Sequence, residues 1–141
     1  MDMKFHSLDD KEADGKELII AIIGAVYKGK WIFVRHGERD TWEIPAGHRE
    51  KEEDIDSAAA RELFEETGAL EFEITPVCIY SMKEDGIRSF GKIFYAQVER
   101  LGKLPDFEID EIALFADLPE NLTYPVQRQI FKRLAEARKS I

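Results

Sequence analysis

The sequence predicts an α+β fold in which a mixed sheet lies between helices, and three observations carry that reading. Residues 17–27 are a continuous apolar, largely β-branched run, the signature of a strand covered on both faces. Residues 55–67 and 124–139 repeat their apolar positions at helical spacing instead. Further strand-like runs lie between these segments, so the order is strands, helix, strands, helix, with both helices free to cover one sheet.

The elements follow in chain order. The start, Met1-Asp2-Met3-Lys4-Phe5-His6, is polar, and no element is predicted before residue 17. Lys28-Gly29-Lys30 is a turn that joins the first strand to Trp31-Ile32-Phe33-Val34-Arg35, giving a hairpin. A polar loop from His36 to Asp40 leads to the short segment Trp42-Glu43-Ile44, which Pro45 ends. A loop over residues 46–54 precedes a helix from Ile55 to Thr67, with Gly68 placed as its C-terminal cap. Strands near 70–81 and 88–99 flank Glu84-Asp85-Gly86, whose Asp-Gly pair is a turn signal. Another strand near 110–116 runs into a loop around Pro119. In the last segment Val126, Ile130 and Leu134 share one helical face, and Pro125 suits a first turn. No repeat, low-complexity tract or linker divides the chain, so residues 1–141 read as one domain.

Composition narrows the function. A net charge of −9 argues against extended nucleic-acid binding, which needs a basic surface. It is compatible with phosphate chemistry in which divalent cations neutralise carboxylates and phosphate oxygens together. The single cysteine, Cys78, lies in the apolar run Pro76-Val77-Cys78-Ile79-Tyr80 and reads as a small buried side chain in a reducing compartment. No segment has the length of a membrane span, and the start has no apolar leader, so the expected location is cytoplasmic with no membrane partner.

The informative region runs from Gly47 to Ala69. On a helix at about 100° per residue, Glu62, Glu65 and Glu66 share an arc of about 100° beside the apolar face formed by Ala59, Ala60, Leu63 and Phe64. Carboxylates one turn apart repel by ~0.2–0.5 kcal/mol per pair when exposed, a cost that a bound hard cation offsets. Gly47, Glu53, Arg61, Glu62, Leu63, Glu65, Glu66, Gly68 and Ala69 spell G-x(5)-E-x(7)-R-E-U-x-E-E-x-G-U, where U is aliphatic. A chance match in a chain this long is on the order of one in ten million.

This run resembles the Nudix box, the signature of hydrolases that cut nucleoside diphosphates linked to another moiety. The resemblance implies an α/β/α sandwich over essentially the whole chain. It also implies Mg²⁺, with Mn²⁺ as a substitute, held by Glu62, Glu65, Glu66 and the carbonyl of Ala46. Glu53 and Glu62 are the two general-base candidates, and Arg61 orients the carboxylates around it. Gly47 lets the backbone turn after Pro45 and approach the metal closely. A further acid outside the box is expected from Glu111, with Glu84 and Asp85 as alternatives. Arg35 and His48 are candidate phosphate contacts, as is Lys92. Trp42, Phe90 and Phe94 read more readily as core than as base-stacking groups.

The substrate expected is a small nucleotide. The markers of the ADP-ribose and dinucleoside-polyphosphate subfamilies are missing, since Glu84, Asp85, Gly86 and Ile87 stand at their positions. Against that, Trp42-Glu43-Ile44-Pro45-Ala46-Gly47 looks like the Pro-Ala-Gly of sugar-nucleotide hydrolases. The absence of an N-terminal dimerisation domain, such as ADP-ribose hydrolases carry, tilts the reading to (d)NTP cleaved to (d)NMP and pyrophosphate. ADP-ribose or a nucleotide sugar is the alternative, and a non-catalytic nucleotide sensor is a third reading. A homodimer is left open.

Overall fold

A computed structural model describes residues 2–141; Met1 lies outside the described residues. In order come β1 (Asp2–His6), β2 (Leu18–Tyr27), β3 (Lys30–His36), β4 (Ala46–His48), α1 (Ile55–Thr67), β5 (Ala69–Glu84), β6 (Ile87–Leu101), β7 (Ile109–Phe115) and α2 (Gln127–Ser140). The strands build one sheet in the order β1-β5-β6-β2-β3-β7, with β4 also paired to β2. β2 and β6 run parallel and every other pairing is antiparallel, so the sheet is mixed as expected.

The apolar run of β2 serves both faces of this sheet. Ala21, Ile23 and Ala25 pack with Ala59 and Leu63 of α1. Ile22 and Val26 face the other way, toward Ile130, Phe131 and Leu134 of α2. This alternation is the period of a strand, and it places one helix on each side. Gly24 permits the second packing, because a Cβ there would meet the Leu134 methyls at 2.5 and 2.7 Å. Phe94 is fully buried and Phe90 nearly so, Trp42 packs edge-on against Phe115, and Cys78 is buried; all four act as core. Burial raises the Cys78 thiol pKa, which keeps it inert.

Two strands depart from the sequence expectation. β1 forms at the polar start because Asp2 to His6 pair with Lys83 to Ile79 along the edge of β5, and backbone pairing does not require an apolar run. β4 forms within the expected loop. The β2–β3 hairpin pairs only near its turn, at Val26–Trp31 and Tyr27–Lys30. The first half of β2 is therefore free to pair Ile20, Ala21 and Ile22 with His48, Gly47 and Ala46. α2 begins at Gln127; Tyr124 and Pro125 form the turn before it, where the Gln127 N–H donates to the Tyr124 carbonyl. No helix among the described residues is long and apolar enough to cross a membrane.

α1 has the predicted bounds, and its caps explain them. The Asp54 carboxylate accepts from the Ser57 N–H at 2.7 Å, a cap of the kind that contributes ~1 kcal/mol. Gly68 takes φ 79°, the left-handed conformation open to glycine, and its N–H donates to the Phe64 carbonyl at 2.8 Å.

Candidate active site

Arg61 is the hub of the site. It rises from the middle of α1, and its Nε and Nη2 donate to the two oxygens of Glu53 at 2.8 and 2.9 Å. Nη1 donates to Glu62 Oε1 and Glu65 Oε2, each at 2.9 Å, and Nη2 reaches the His48 carbonyl at 3.0 Å. One guanidinium thus ties the loop before α1, the strand β4 and two carboxylates of the helix. The planar fork of arginine suits this, since it presents five donors in fixed directions. Glu53 also accepts from the Glu50 N–H at 2.9 Å. These donors, Arg61 first, hold the Glu53 carboxyl down at about 2.

Beyond Arg61 opens a cleft of about 650 Å³ whose lining includes Glu43, Ala46, Glu62, Glu66 and Glu108 together with Ile20, Tyr80 and Met82. Glu62 and Glu66, one turn apart, face into it. Burial pushes the Glu66 carboxyl up to about 8, against the pull of the Ala46 N–H, which donates to its Oε1 at 3.0 Å. Burial also raises Glu62, although Arg61 pulls it the other way. Glu43 is buried too, and accepts from Arg39 at 2.9 Å. His36 Nε2 stands 3.5 Å from Glu43 and 3.8 Å from Glu66. A small hollow beside the cleft is lined by Glu62, Glu65, Glu66 and Glu108.

This arrangement fits a divalent cation. The donors are carboxylate oxygens, the hard ligands that Mg²⁺ and Mn²⁺ select. Glu66 is charged at neutral pH only at a cost that its one N–H donor leaves uncompensated, and a cation beside it removes that cost.

The structure brings together most of the predicted site, but not all. Glu62, Glu66, Ala46, Gly47, His48 and Arg61 all line the cleft, Glu65 borders the adjoining hollow, and Glu53 is held behind Arg61. Gly47 plays a narrower part than expected. It lies within β4 and is absent from the glycines with positive φ, so no sharp turn requires it. A Cβ there would overlap the Glu62 carboxylate. Gly47→Ala is therefore expected to displace Glu62 and lower kcat by more than about tenfold with the fold retained, measured by steady-state kinetics beside circular dichroism.

Glu111 and Arg35, both expected at the site, lie outside the cleft lining. They face each other across β3 and β7, with Arg35 Nε donating to Glu111 Oε1 at 3.0 Å. Arg35 Nη1 is further engaged by the carbonyls of Gly37 and Arg39. Glu108, just before β7, lines the cleft and the adjoining hollow instead. Glu84 and Asp85 sit at the β5–β6 turn and do not line the cleft, and Lys92 pairs with Asp56 at 2.9 Å. The residues that sequence reasoning missed are Glu43, His36 and Glu108. Glu43 carried a signal, since it stands two residues before Pro45 in the very run that resembled a family motif. His36 and Glu108 lie in segments without a pattern.

Comparison with known proteins agrees with this geometry. The NUDIX domain profile matches residues 18–134. YtkD of Bacillus subtilis strain 168, which carries a provisional 8-oxo-dGTP diphosphatase name, is 36% identical over 98 residues. That match covers 69% of this chain but only 61% of the relative's own length. The crystal structure of the Bacillus subtilis pyrophosphohydrolase BsRppH, solved as a point mutant, superposes with a TM-score of 0.79 at 27% identity, covering 96% of this chain and 90% of that one. The NUDIX domain of Shewanella oneidensis NrtR, solved with ADP ribose, shares the fold alone: TM-score 0.67 and 14% identity over 93% of this chain and 94% of that one. With the profile spanning most of the sequence and the fold shared over nearly all of it, the chain belongs to the NUDIX domain family.

Proposed function

We propose that residues 1–141 form one Nudix hydrolase domain, a divalent-metal-dependent pyrophosphohydrolase that cuts (d)NTP to (d)NMP and pyrophosphate. The observation that carries this reading is the convergence of Glu62, Glu66, Glu43 and Glu108 on one cleft, with Glu66 buried and short of compensating charge. Glu62, Glu65, Glu66, Glu108 and the Ala46 carbonyl would hold Mg²⁺ or Mn²⁺. When bound, such an ion polarises the phosphoryl group and acidifies water.

The protein's own groups then divide the remaining work. Arg61 holds Glu53, Glu62 and Glu65 in one geometry, so the carboxylates meet substrate already ordered. Glu62 accepts the proton of the attacking water. Glu53 is a poorer acceptor, because its oxygens are taken by Arg61 and Glu50 and its carboxyl titrates at about 2. The water oxygen bonds to phosphorus, the phosphoanhydride bond breaks, and pyrophosphate leaves with the bonding pair. The name of YtkD supports including oxidised purine triphosphates among the substrates. Pro45-Ala46-Gly47 favours ADP-ribose or a nucleotide sugar as the second reading. The buried, inert Cys78 supports a reducing, cytoplasmic setting.

The test is product analysis against NTPs, dNTPs, oxidised dNTPs, ADP-ribose and sugar nucleotides, with Mg²⁺, with Mn²⁺ and with EDTA. Metal-dependent release of a nucleoside monophosphate from one class is expected. Silence across the panel, together with tight nucleotide binding by calorimetry, would overturn turnover in favour of a sensor.

A further inference from the structure

The segment between β1 and β2, residues 7–17, carries five carboxylates, Asp9, Asp10, Glu12, Asp14 and Glu17, against two lysines. It has little apolar anchorage: Ala13 packs on Ile79 and Phe90, while Leu8 is exposed. A segment so charged is held close to the sheet only if something offsets its repulsion. At its base His6 ends β1, and its side chain is 4% exposed. The ring is fixed from behind: Nε2 lies 2.9 Å from the Oγ of fully buried Ser81, which also accepts from Arg88 Nη1 at 2.9 Å. Nδ1 is thereby aimed outward between two carboxylates, 3.5 Å from Asp10 Oδ2 and 4.0 Å from Glu12 Oε2.

Those separations exceed ordinary hydrogen-bond length, so Nδ1 faces both carboxylates without a close hydrogen bond to either. The shorter of them is close to the spacing of two ligands on one ion, and the other requires only a small side-chain shift. Two ligands each ~2.0–2.1 Å from a tetrahedral ion stand about 3.4 Å apart, and all three donor atoms here lie within 4.8 Å of one another. Asp10 is also braced, since its Oδ1 accepts from the Glu12 N–H at 2.9 Å, leaving Oδ2 to face the ring. A histidine whose far nitrogen is held by a fixed partner is the usual form of a metal-ligating imidazole.

We propose that His6 Nδ1, Asp10 and Glu12 form a second cation site, separate from the Nudix cleft, for a borderline divalent ion of the Zn²⁺ type. The imidazole disfavours Mg²⁺ and Ca²⁺, which take oxygen ligands, whereas one nitrogen and two carboxylates suit Zn²⁺, with water completing the tetrahedron. The ion would pin the 7–17 segment to the β1–β5 edge of the sheet. Glu17, at the far end of that segment, is ion-paired with Arg49, which lines the cleft. The site therefore acts structurally on a segment that abuts the box loop.

The test is Zn²⁺ titration of the whole chain in saturating Mg²⁺, which occupies the cleft carboxylates, followed by calorimetry and by ¹⁵N shifts of the three histidines. One Zn²⁺ equivalent is expected in the wild type, with a metal-bound shift at His6 Nδ1 and a raised Tm. Asp10→Asn/Glu12→Gln, whose side chains are solvent-accessible and whose loss leaves the core intact, is expected to lose that equivalent and the Tm gain. Ser81→Ala is expected to weaken binding by about 10–100-fold. Equal Zn²⁺ binding by wild type and the double variant, shifts confined to His36 and His48, or no Zn²⁺ uptake in Mg²⁺ would each overturn the site.

Discussion

Glu66→Gln is expected to abolish most turnover and at the same time to make the metal-free protein more stable at pH 8. The folded carboxyl titrates at about 8 instead of 4.5, because burial in the cleft disfavours its charged form. Between those two values the folded state holds a proton that the unfolded chain has released, so stability falls as pH rises from about 4.5 to about 8. The contribution of this one group amounts to up to ~5 kcal/mol across that window. Glutamine keeps the acceptor for the Ala46 N–H and carries no charge, so the variant lacks this slope. Urea denaturation in EDTA at pH 5 and pH 8 measures it: the wild type is expected to weaken between the two, and the variant much less. Added Mg²⁺ is expected to restore the wild type at pH 8 and to leave the variant little changed. Parallel pH profiles in the two proteins would remove Glu66 as the buried charge on which the cation site rests.

Arg61→Lys is expected to fold and to lose about 10²-fold in kcat, as an order of magnitude for a lost positioning contact. Lysine retains the positive charge but has no fork, so it cannot grip both Glu53 oxygens while also reaching Glu62, Glu65 and the His48 carbonyl. Arg61→Ala goes further, leaving Glu50, Glu53, Glu62 and Glu65 to repel without a partner, and is expected to cost about 1–3 kcal/mol of stability as well. The separation of the two variants is the informative part. If Arg61 acts only through charge, lysine rescues both activity and stability; if it positions, lysine rescues stability alone. Steady-state kinetics at saturating Mg²⁺, beside denaturation of the same samples, decides between them.

The carboxylates of this site that were legible in the sequence lie on one helix, α1, or within two residues of its start. Glu62, Glu65 and Glu66 fall on one arc of α1 whatever surrounds it, and Asp54 and Gly68 bound that helix by local hydrogen bonds alone. β2 was equally legible, because a strand covered by a helix on each face must be apolar at every position. β1 and β4 were not. Each is held by pairing with a distant strand, at Lys83 to Ile79 and at Ile20 to Ile22, and a short edge strand leaves no periodicity of its own.

By itself, then, the sequence determined the helix that carries the carboxylates, the strands that carry the helix and the family to which both belong, since all of these follow from spacing along the chain. Which further acids join them was decided only in three dimensions. Glu111 and Glu108 are three residues apart at the start of one strand, and nothing local distinguishes them. The register of β7 on β3 sets Glu111 opposite Arg35, where an ion pair consumes it, and leaves Glu108 beyond the paired residues, facing Glu62 and Glu66. The same pairing engages Arg35, which therefore does not reach the cleft. Glu43 and His36 come to Glu66 by an equally non-local route, through the Val34–Glu43 bridge and the end of β3. A carboxylate's role is set by the charges it meets, and most of those charges come from elsewhere in the chain.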